Sequence, residues 1–195
     1  MIEFVAAVFF LLITPGPGVL STAGVGSGFG YRAGATYVAG LFVGTNLVAL
    51  AVVSGLAAIV FAVPGLRLVL MIASTAYLLY LAAKIALAGA KVAFIQAEKA
   101  PGFRAGILLQ FINPKAYAVN TSLFSGFAFG GALATETAMK FLIINAIWIP
   151  IHFLWLWFGV TVRRLELPEK VQRMINFGMA AAMLLVVGLA IASQL

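Results

Sequence analysis

Charged residues divide an otherwise apolar chain into long uncharged runs. Runs of 28 and 34 residues separate Glu3, Arg32 and Arg67, and a run of 16 follows. Another run, of 20 residues, lies between Lys115 and Glu136, and two runs of 22 residues follow it. A membrane-spanning helix needs about 20 apolar residues. The pattern therefore predicts six spanning helices, with approximate limits 2–29, 36–61, 66–90, 103–129, 133–160 and 174–194.

Composition strengthens this prediction. Of the 195 residues, 64% are hydrophobic and only 9% are charged, whereas a soluble domain has about 25% charged residues. Too few charges are present to cover a soluble surface, which excludes a water-soluble enzyme and a nucleic-acid-binding protein. We predict an all-α polytopic membrane protein whose surroundings are lipids.

The basic residues indicate the orientation of the chain. The net charge of +7 comes from Lys and Arg placed between apolar spans, which is typical of topology signals rather than of a nucleic-acid-binding face. The side with the odd-numbered loops carries nine of them: Arg32, Lys84, Lys91, Lys99, Arg104, Arg163, Arg164, Lys170 and Arg173. The other side has Arg67 and Lys140. Cytoplasmic loops are enriched in Lys and Arg, so we predict a multi-pass protein with both termini outside.

The chain divides into two halves with a similar layout of helices and breaks. Helix one is interrupted at Thr14-Pro15-Gly16-Pro17-Gly18 and helix four at Asn113-Pro114-Lys115, and the first proline of each break is 99 residues from the other. Residues 1–90 then form a first three-helix repeat, 91–102 a cytoplasmic linker and 103–195 a second repeat. Because three is odd, the repeats have opposite orientations. Inverted repeats with paired broken helices are typical of secondary transporters.

The two breaks predict a binding site near the middle of the membrane. Proline in a helix frees the carbonyl four residues earlier, which predicts free carbonyls at Leu11, Ile13 and Gln110. Each half-helix that follows a break has a positive N-terminal end, and Lys115 adds a full charge. A site that offers both positive groups and free carbonyl oxygens suits a zwitterionic amino acid. The alternative is that the prolines only kink helices for packing.

Other intramembrane polar residues have two interpretations each. Asn46 and Asn145 either line a path or act as glue between helices. His152, the only histidine, is more often a hydrogen-bonded helix residue than a proton relay. Glu136 and Lys140, four residues apart, are interpreted as a simple surface pair. The candidate substrate-binding residues are Thr14, Pro15, Gly16, Pro17, Gly18, Asn46, Asn113, Pro114, Lys115 and Asn145.

Missing residue types limit the chemistry. The chain has no Asp and no Cys, so the sequence offers no catalytic triad, no carboxylate cage for a divalent metal and no thiolate site. A Gly-Lys-Ser/Thr phosphate loop is also absent. We therefore expect no enzyme activity, no metal and no cofactor, and transport driven by a gradient rather than by ATP.

The motifs of the chain resemble those of the LysE/RhtB amino-acid exporters over essentially the whole length. The resemblance rests on Thr14-Pro15-Gly16-Pro17, Gly40-Leu-Phe-Val-Gly44, Ala76-Tyr77-Leu-Leu-Tyr80-Leu-Ala-Ala-Lys84, Phe103-Arg104-Ala-Gly106 and Asn113-Pro114-Lys115-Ala116. It implies a six-helix inner-membrane translocator that exports amino acids or related metabolites. It also implies that the two broken helices form the central pathway.

One departure from that family affects the expected substrate. Many members carry an acidic residue after the second glycine of the helix-two motif, where this chain has Thr45-Asn46. A cationic side chain would then lack a counter-ion, so a neutral amino acid is favoured. A passive small-solute channel and an exporter of other metabolites remain alternatives. The sequence names neither the substrate nor the coupling ion, and it leaves a homo-oligomer open.

Overall fold

The computed structural model describes residues 1–56, 100–165 and 168–192, and nine further positions between 62 and 83. All regular structure in these residues is helical, and seven of the nine further positions are helical as well. The first half contributes α1 (Ile2–Ile13), α2 (Pro17–Phe29) and α3 (Tyr31–Val53). The second half contributes α4 (Phe103–Ile112), α5 (Pro114–Ser125), α6 (Leu133–Arg164) and α7 (Glu169–Ala192). The predicted helix 66–90 and most of the predicted linker 91–102 lie outside the continuous described ranges.

Within the described residues, two single helices are long and apolar enough to cross a membrane: Tyr31–Val53 and Leu133–Val162. The pair α1 and α2 passes the same test as one span that is bent by 50° at its break. Large apolar side chains such as Phe10, Leu142 and Leu185 are more than 60% exposed. Such exposure suits a surface that faces lipid rather than water.

Several helix limits differ from the predicted ones, and three of them differ because a charged residue interrupts an apolar run without ending the helix. The predicted helix 36–61 begins at Tyr31 and gives way to a turn after Val53. The predicted helix 133–160 continues to Arg164, and the predicted helix 174–194 begins at Glu169. The predicted helix 103–129 ends at Ser125. The helical backbone continues past a charge because its hydrogen bonds do not depend on lipid.

A single residue joins α2 to α3. Gly30 has a φ of 84°, a left-handed value that costs other residues energy and that glycine adopts readily. The hydroxyl of Tyr37 donates a hydrogen bond of 3.0 Å to Oγ of Ser21, and both side chains are fully buried. The two helices therefore form a tight hairpin.

Close backbone contacts hold one end of the bundle together. A Cβ added to Gly40 in α3 would lie 1.9 Å from the carbonyl oxygen of Phe103, and one added to Gly106 in α4 would lie 2.4 Å from that of Tyr37. One added to Gly159 in α6 would lie 2.0 Å from the carbonyl oxygen of Ala23 in α2. We call Gly40, Gly106 and Gly159 the glycine seam. It lies in the half of the bundle nearer Gly30, residues 100–102 and Leu165.

Two apolar clusters flank the centre of the described bundle. One joins α2, α3, α4, α6 and α7 on the side of the glycine seam, around Tyr37, Leu109 and Leu156. The other joins α1, α5 and α6 around Phe4 and Leu123. Between them lies a polar region where the two broken helices meet.

Candidate functional site

The first break separates α1 from α2 at Thr14, Pro15 and Gly16. The amide of Thr14 still bonds the carbonyl of Phe10, and α2 begins with Pro17 at its first helical position. A proline there loses nothing, because the first amides of a helix have no intrahelical partner. Pro17 therefore starts a new helix rather than removing a bond from a continuous one. No side chain caps the N-terminus of α2, so its amides stay available to a ligand.

At the second break, a side chain of the break itself caps the N-terminus of α5. Oδ1 of Asn113 accepts a hydrogen bond of 3.1 Å from the amide of Lys115 at the start of α5, where Pro114 takes the first helical position. The carbonyl of Gln110, predicted to be free, accepts from the amide of Asn113 at 3.3 Å. This correction follows from the tightening of the last turn of α4 to an i to i+3 bond. The two N-termini therefore differ, since that of α5 is capped and that of α2 is not.

Lys115 connects the two breaks. Its Nζ donates to the carbonyl oxygen of Thr14 at 2.6 Å, across 101 residues of sequence. Its side chain lies over Gly16, where an added Cβ would be 2.8 Å from Cδ of Lys115. Gly16 therefore leaves the space that the lysine side chain fills.

A cavity of about 50 Å³ with both polar and apolar lining residues lies at this meeting point. Five of the predicted site residues line it together: Thr14, Gly16, Gly18, Asn113 and Lys115. Pro15, Pro17 and Pro114 shape the breaks but are not among its lining residues. The remaining lining comes from both halves of the chain and includes Leu12, Thr45, Val119, Asn120 and Trp148.

Two of the lining residues that were missing from the predicted site are buried polar residues next to Gly18. Gln110 and His152 are 4% and 3% exposed. Nε2 of His152 would lie 3.6 Å, and Nε2 of Gln110 3.8 Å, from a Cβ on Gly18. Neither atom has a hydrogen-bond partner among the described residues, although Oε1 of Gln110 accepts weakly from Asn113 at 3.4 Å. Both therefore present a free polar atom beside the uncapped start of α2.

The orientation of His152 is fixed by its own helix. Its Nδ1 lies 2.9 Å from the carbonyl oxygen of Trp148, and its ring stacks on that indole with centroids 3.5 Å apart. A carbonyl oxygen only accepts, so Nδ1 carries the proton and Nε2 of the neutral ring is an acceptor. The sequence signal was its spacing of four from Trp148, which places both rings on one face of a helix.

Asn46 and Asn145 bind each other rather than the cavity. Nδ2 of Asn46 donates to Oδ1 of Asn145 at 3.1 Å, and Nδ2 of Asn145 donates to Oδ1 of Asn46 at 2.9 Å. The two residues are 99 apart, the same separation as that of Pro15 and Pro114. Of the two interpretations of these residues, the geometry favours glue between α3 and α6.

A double-mutant cycle measures this pair. We expect Asn46→Ala and Asn145→Ala each to lower the free energy of unfolding by about 1–2 kcal/mol, because each removes both hydrogen bonds of the pair and leaves Oδ1 of the partner without its donor. The double variant should lose less stability than the two single variants added together, because it contains neither side chain of the pair. Thermal unfolding of the purified chain in detergent measures the three values. Strictly additive losses would contradict a direct pair.

A wider opening lies on the opposite side of the centre from the glycine seam. It has a volume of about 660 Å³ and is bordered by Val53 in α3, Tyr117 and Thr121 in α5, and Glu136 and Lys140 in α6. We call it the vestibule. The two ends of the bundle therefore differ, because backbones meet at the glycine seam and this opening lies at the other end.

Glu136 and Lys140 form an ion pair of 2.8 Å at the vestibule, but the prediction of a simple surface pair was wrong. Lys140 is 2% exposed, and its Nζ also donates to the carbonyl oxygen of Phe124 at 3.0 Å and to that of Phe127. The other carboxylate oxygen of Glu136 accepts from the amide of Phe129 at 2.9 Å. The pair thus binds the chain that leaves α5, where helix carbonyls lack intrahelical partners.

The described residues contain no group of three or more His, Asp or Glu side chains placed to hold a metal ion. The cavity has one histidine and one lysine but no carboxylate among its lining residues. Its polar groups are amides, a backbone carbonyl, an imidazole and an amino group, which suit hydrogen bonding to a small polar molecule.

Comparison with known proteins agrees with a membrane translocator. No curated protein and no solved structure matches the chain. A protein family does match, and the match extends over residues 9–195, which includes both breaks and the cavity between them. The chain therefore belongs to the LysE type translocator family.

Proposed function

We propose that this translocator exports amino acids, with neutral ones favoured, or related small metabolites across the inner membrane. The substrate binds near the midplane between the broken helices. The observation that carries the proposal is the cavity where the two breaks meet, which offers both donors and acceptors to one small molecule. Binding at paired broken helices is the general arrangement of secondary transporters.

The polar atoms suit the two ends of a zwitterion. The uncapped amides of α2 and Nε2 of Gln110 are donors, and a carboxylate suits them because the helix end is positive. The carbonyl oxygen of Thr14 and Nε2 of His152 are acceptors, and an ammonium group suits them. No carboxylate lines the cavity, so a cationic side chain would be buried without a counter-ion. This supports a neutral amino acid.

The difference between the two ends of the bundle supports a carrier rather than a passive pore. The glycine seam brings backbones into contact at one end, and the vestibule opens at the other. With the odd-numbered loops in the cytoplasm, this arrangement is closed to the cytoplasm and open to the outside. The common separation of 99 residues in Pro15–Pro114 and Asn46–Asn145 supports two inverted repeats that exchange these roles.

Release from dipeptide-loaded cells tests the proposal. Cells that express the chain should release a few amino acids selectively, and Pro114→Ala should reduce that release at least about tenfold. Without the proline ring, Asn113 is no longer kept in its extended conformation, so α4 and α5 can join as one helix and remove the break. The matched control is Pro150→Ala, because α6 already continues through Pro150. Its release should stay near that of the unchanged chain.

Three outcomes would contradict parts of this proposal. Normal release by membrane-inserted Pro114→Ala would reject the central site. Saturable release without counterflow would favour a channel, because only a carrier exchanges substrate across the membrane. The absence of any difference from empty cells would point to a substrate other than an amino acid.

A further inference from the structure

Lys115 occupies the part of the cavity that a substrate amine would need. Its Nζ lies 2.6 Å from the carbonyl oxygen of Thr14, and an added Cβ on Gly16 would be 3.1 Å from the same nitrogen. A substrate amine therefore takes this position beside the carbonyl of Thr14 only if the lysine side chain moves.

The partner of this lysine is a backbone carbonyl and not an acid. The ion pairs of the described residues are Glu136–Lys140 and Glu169–Arg173, and neither includes Lys115. The carbonyl of Thr14 follows the last turn of α1, where a helix carries partial negative charge. A helix C-terminal end attracts any amino group, whether it belongs to a side chain or to a ligand.

We propose that Lys115 is an internal substitute for the amino group of the substrate. In the empty translocator it binds the carbonyl of Thr14, and it leaves when a substrate amine takes that carbonyl. The inference rests on the proposed function, because it assigns the amine end of the substrate to this acceptor. Lys115 is thus a ligand of the empty site and a competitor of the substrate.

This role has a consequence for the transport cycle. A carrier that has released its substrate must return with an empty site, and an unsatisfied carbonyl inside the membrane opposes that step. Lys115 satisfies the carbonyl without an ion from solution. The empty carrier can then return alone, and net export needs no obligatory counter-substrate.

Rescue by a small amine tests the competition directly. Lys115→Ala removes Cγ, Cδ, Cε and Nζ, which n-propylammonium replaces atom for atom. We expect 10 mM n-propylammonium to raise the apparent melting temperature of the purified Lys115→Ala chain by about 3 °C. The unchanged chain should not respond, and neither should the variant with tetramethylammonium, which has no N–H. Equal responses of both chains, or none in the variant, would overturn the proposal.

Transport in proteoliposomes tests the return step. The vesicles contain labelled glycine, alanine, serine, threonine and leucine, and efflux is measured into plain buffer and into the same unlabelled mixture. For Lys115→Met we expect net efflux to fall about tenfold or more, because the empty site then leaves an acceptor unsatisfied. Exchange should fall much less than net efflux, since the site is occupied in both directions. An equal fall of both, or of neither, would overturn the proposal.

The two experiments separate this inference from the proposed function. If the unchanged chain neither releases nor exchanges amino acids, the proposed substrate class fails. Rescue of Lys115→Ala by n-propylammonium would in that case still establish an amine subsite at Thr14. If the unchanged chain exchanges amino acids but the amine has no effect on Lys115→Ala, the internal substitute fails and the exporter stands.

Discussion

Gly40→Ala is expected to abolish export and to lower the apparent melting temperature by about 6–12 °C. The added Cβ would lie 1.9 Å from the carbonyl oxygen of Phe103 and 2.7 Å from its carbonyl carbon. These are backbone atoms, which cannot rotate away as a side chain would. The helices α3 and α4 must separate, and the glycine seam then cannot close. Efflux from loaded cells and thermal unfolding in detergent measure both effects.

The matched control is Gly178→Ala, because Gly178 is also helical but has no atom within 4 Å of an added Cβ. It should export normally, and its stability should rise slightly because alanine favours a helix. Normal export by Gly40→Ala would show that the seam does not have to close during transport. A loss of export without any loss of stability would indicate a role in the transport cycle alone.

Lys140→Met is expected to cause a second large loss of stability, a fall of about 6–20 °C in the apparent melting temperature. The substitution leaves Glu136 without its cation and the carbonyl oxygens of Phe124 and Phe127 without a donor. These groups lie where the chain that leaves α5 meets the start of α6, around a lysine that is almost fully buried. Removing one partner of a buried pair costs more than removing both.

An exposed pair of the same spacing provides the control. Glu169 and Arg173 are also four residues apart and form an ion pair, but their side chains are 63% and 44% exposed. Exposed pairs contribute little to stability, so Arg173→Met should leave the melting temperature almost unchanged. Glu136→Gln combined with Lys140→Met should recover part of the loss. Equal changes in melting temperature for Lys140→Met and Arg173→Met would contradict a stabilising role of the buried Lys140.

The helix breaks could be predicted because proline acts locally. Pro17 and Pro114 each keep the residue before them extended and start a new helix at its first position, which needs no knowledge of neighbours. The start of α3 was missed because it depends on Gly30, whose left-handed φ lets two helices follow with one residue between them. The charge of Arg32 predicts a loop residue, although Arg32 lies in the first turn of that helix.

The contacts across the bundle could not be predicted in the same way. Lys140 is buried because carbonyls 13 and 16 residues earlier approach it, and no pattern in the sequence brings these together. Asn46 and Asn145 were candidates for the cavity, but a two-fold amide pair satisfies both of them. Gln110 was missed because only its carbonyl was considered, whereas its side chain reaches Gly18.

The hairpin of α2 and α3 determines which parts of the protein can move separately. Gly30 is the only residue between the two helices, and the hydrogen bond between Tyr37 and Ser21 joins them again a few turns away. We therefore expect the start of α2 and Thr45 of α3, which both border the cavity, to move together as one rigid unit. Two spin labels placed within residues 17–53 should keep a constant separation while substrate is transported. The distance between one label in residues 17–53 and another in α6 should change during transport.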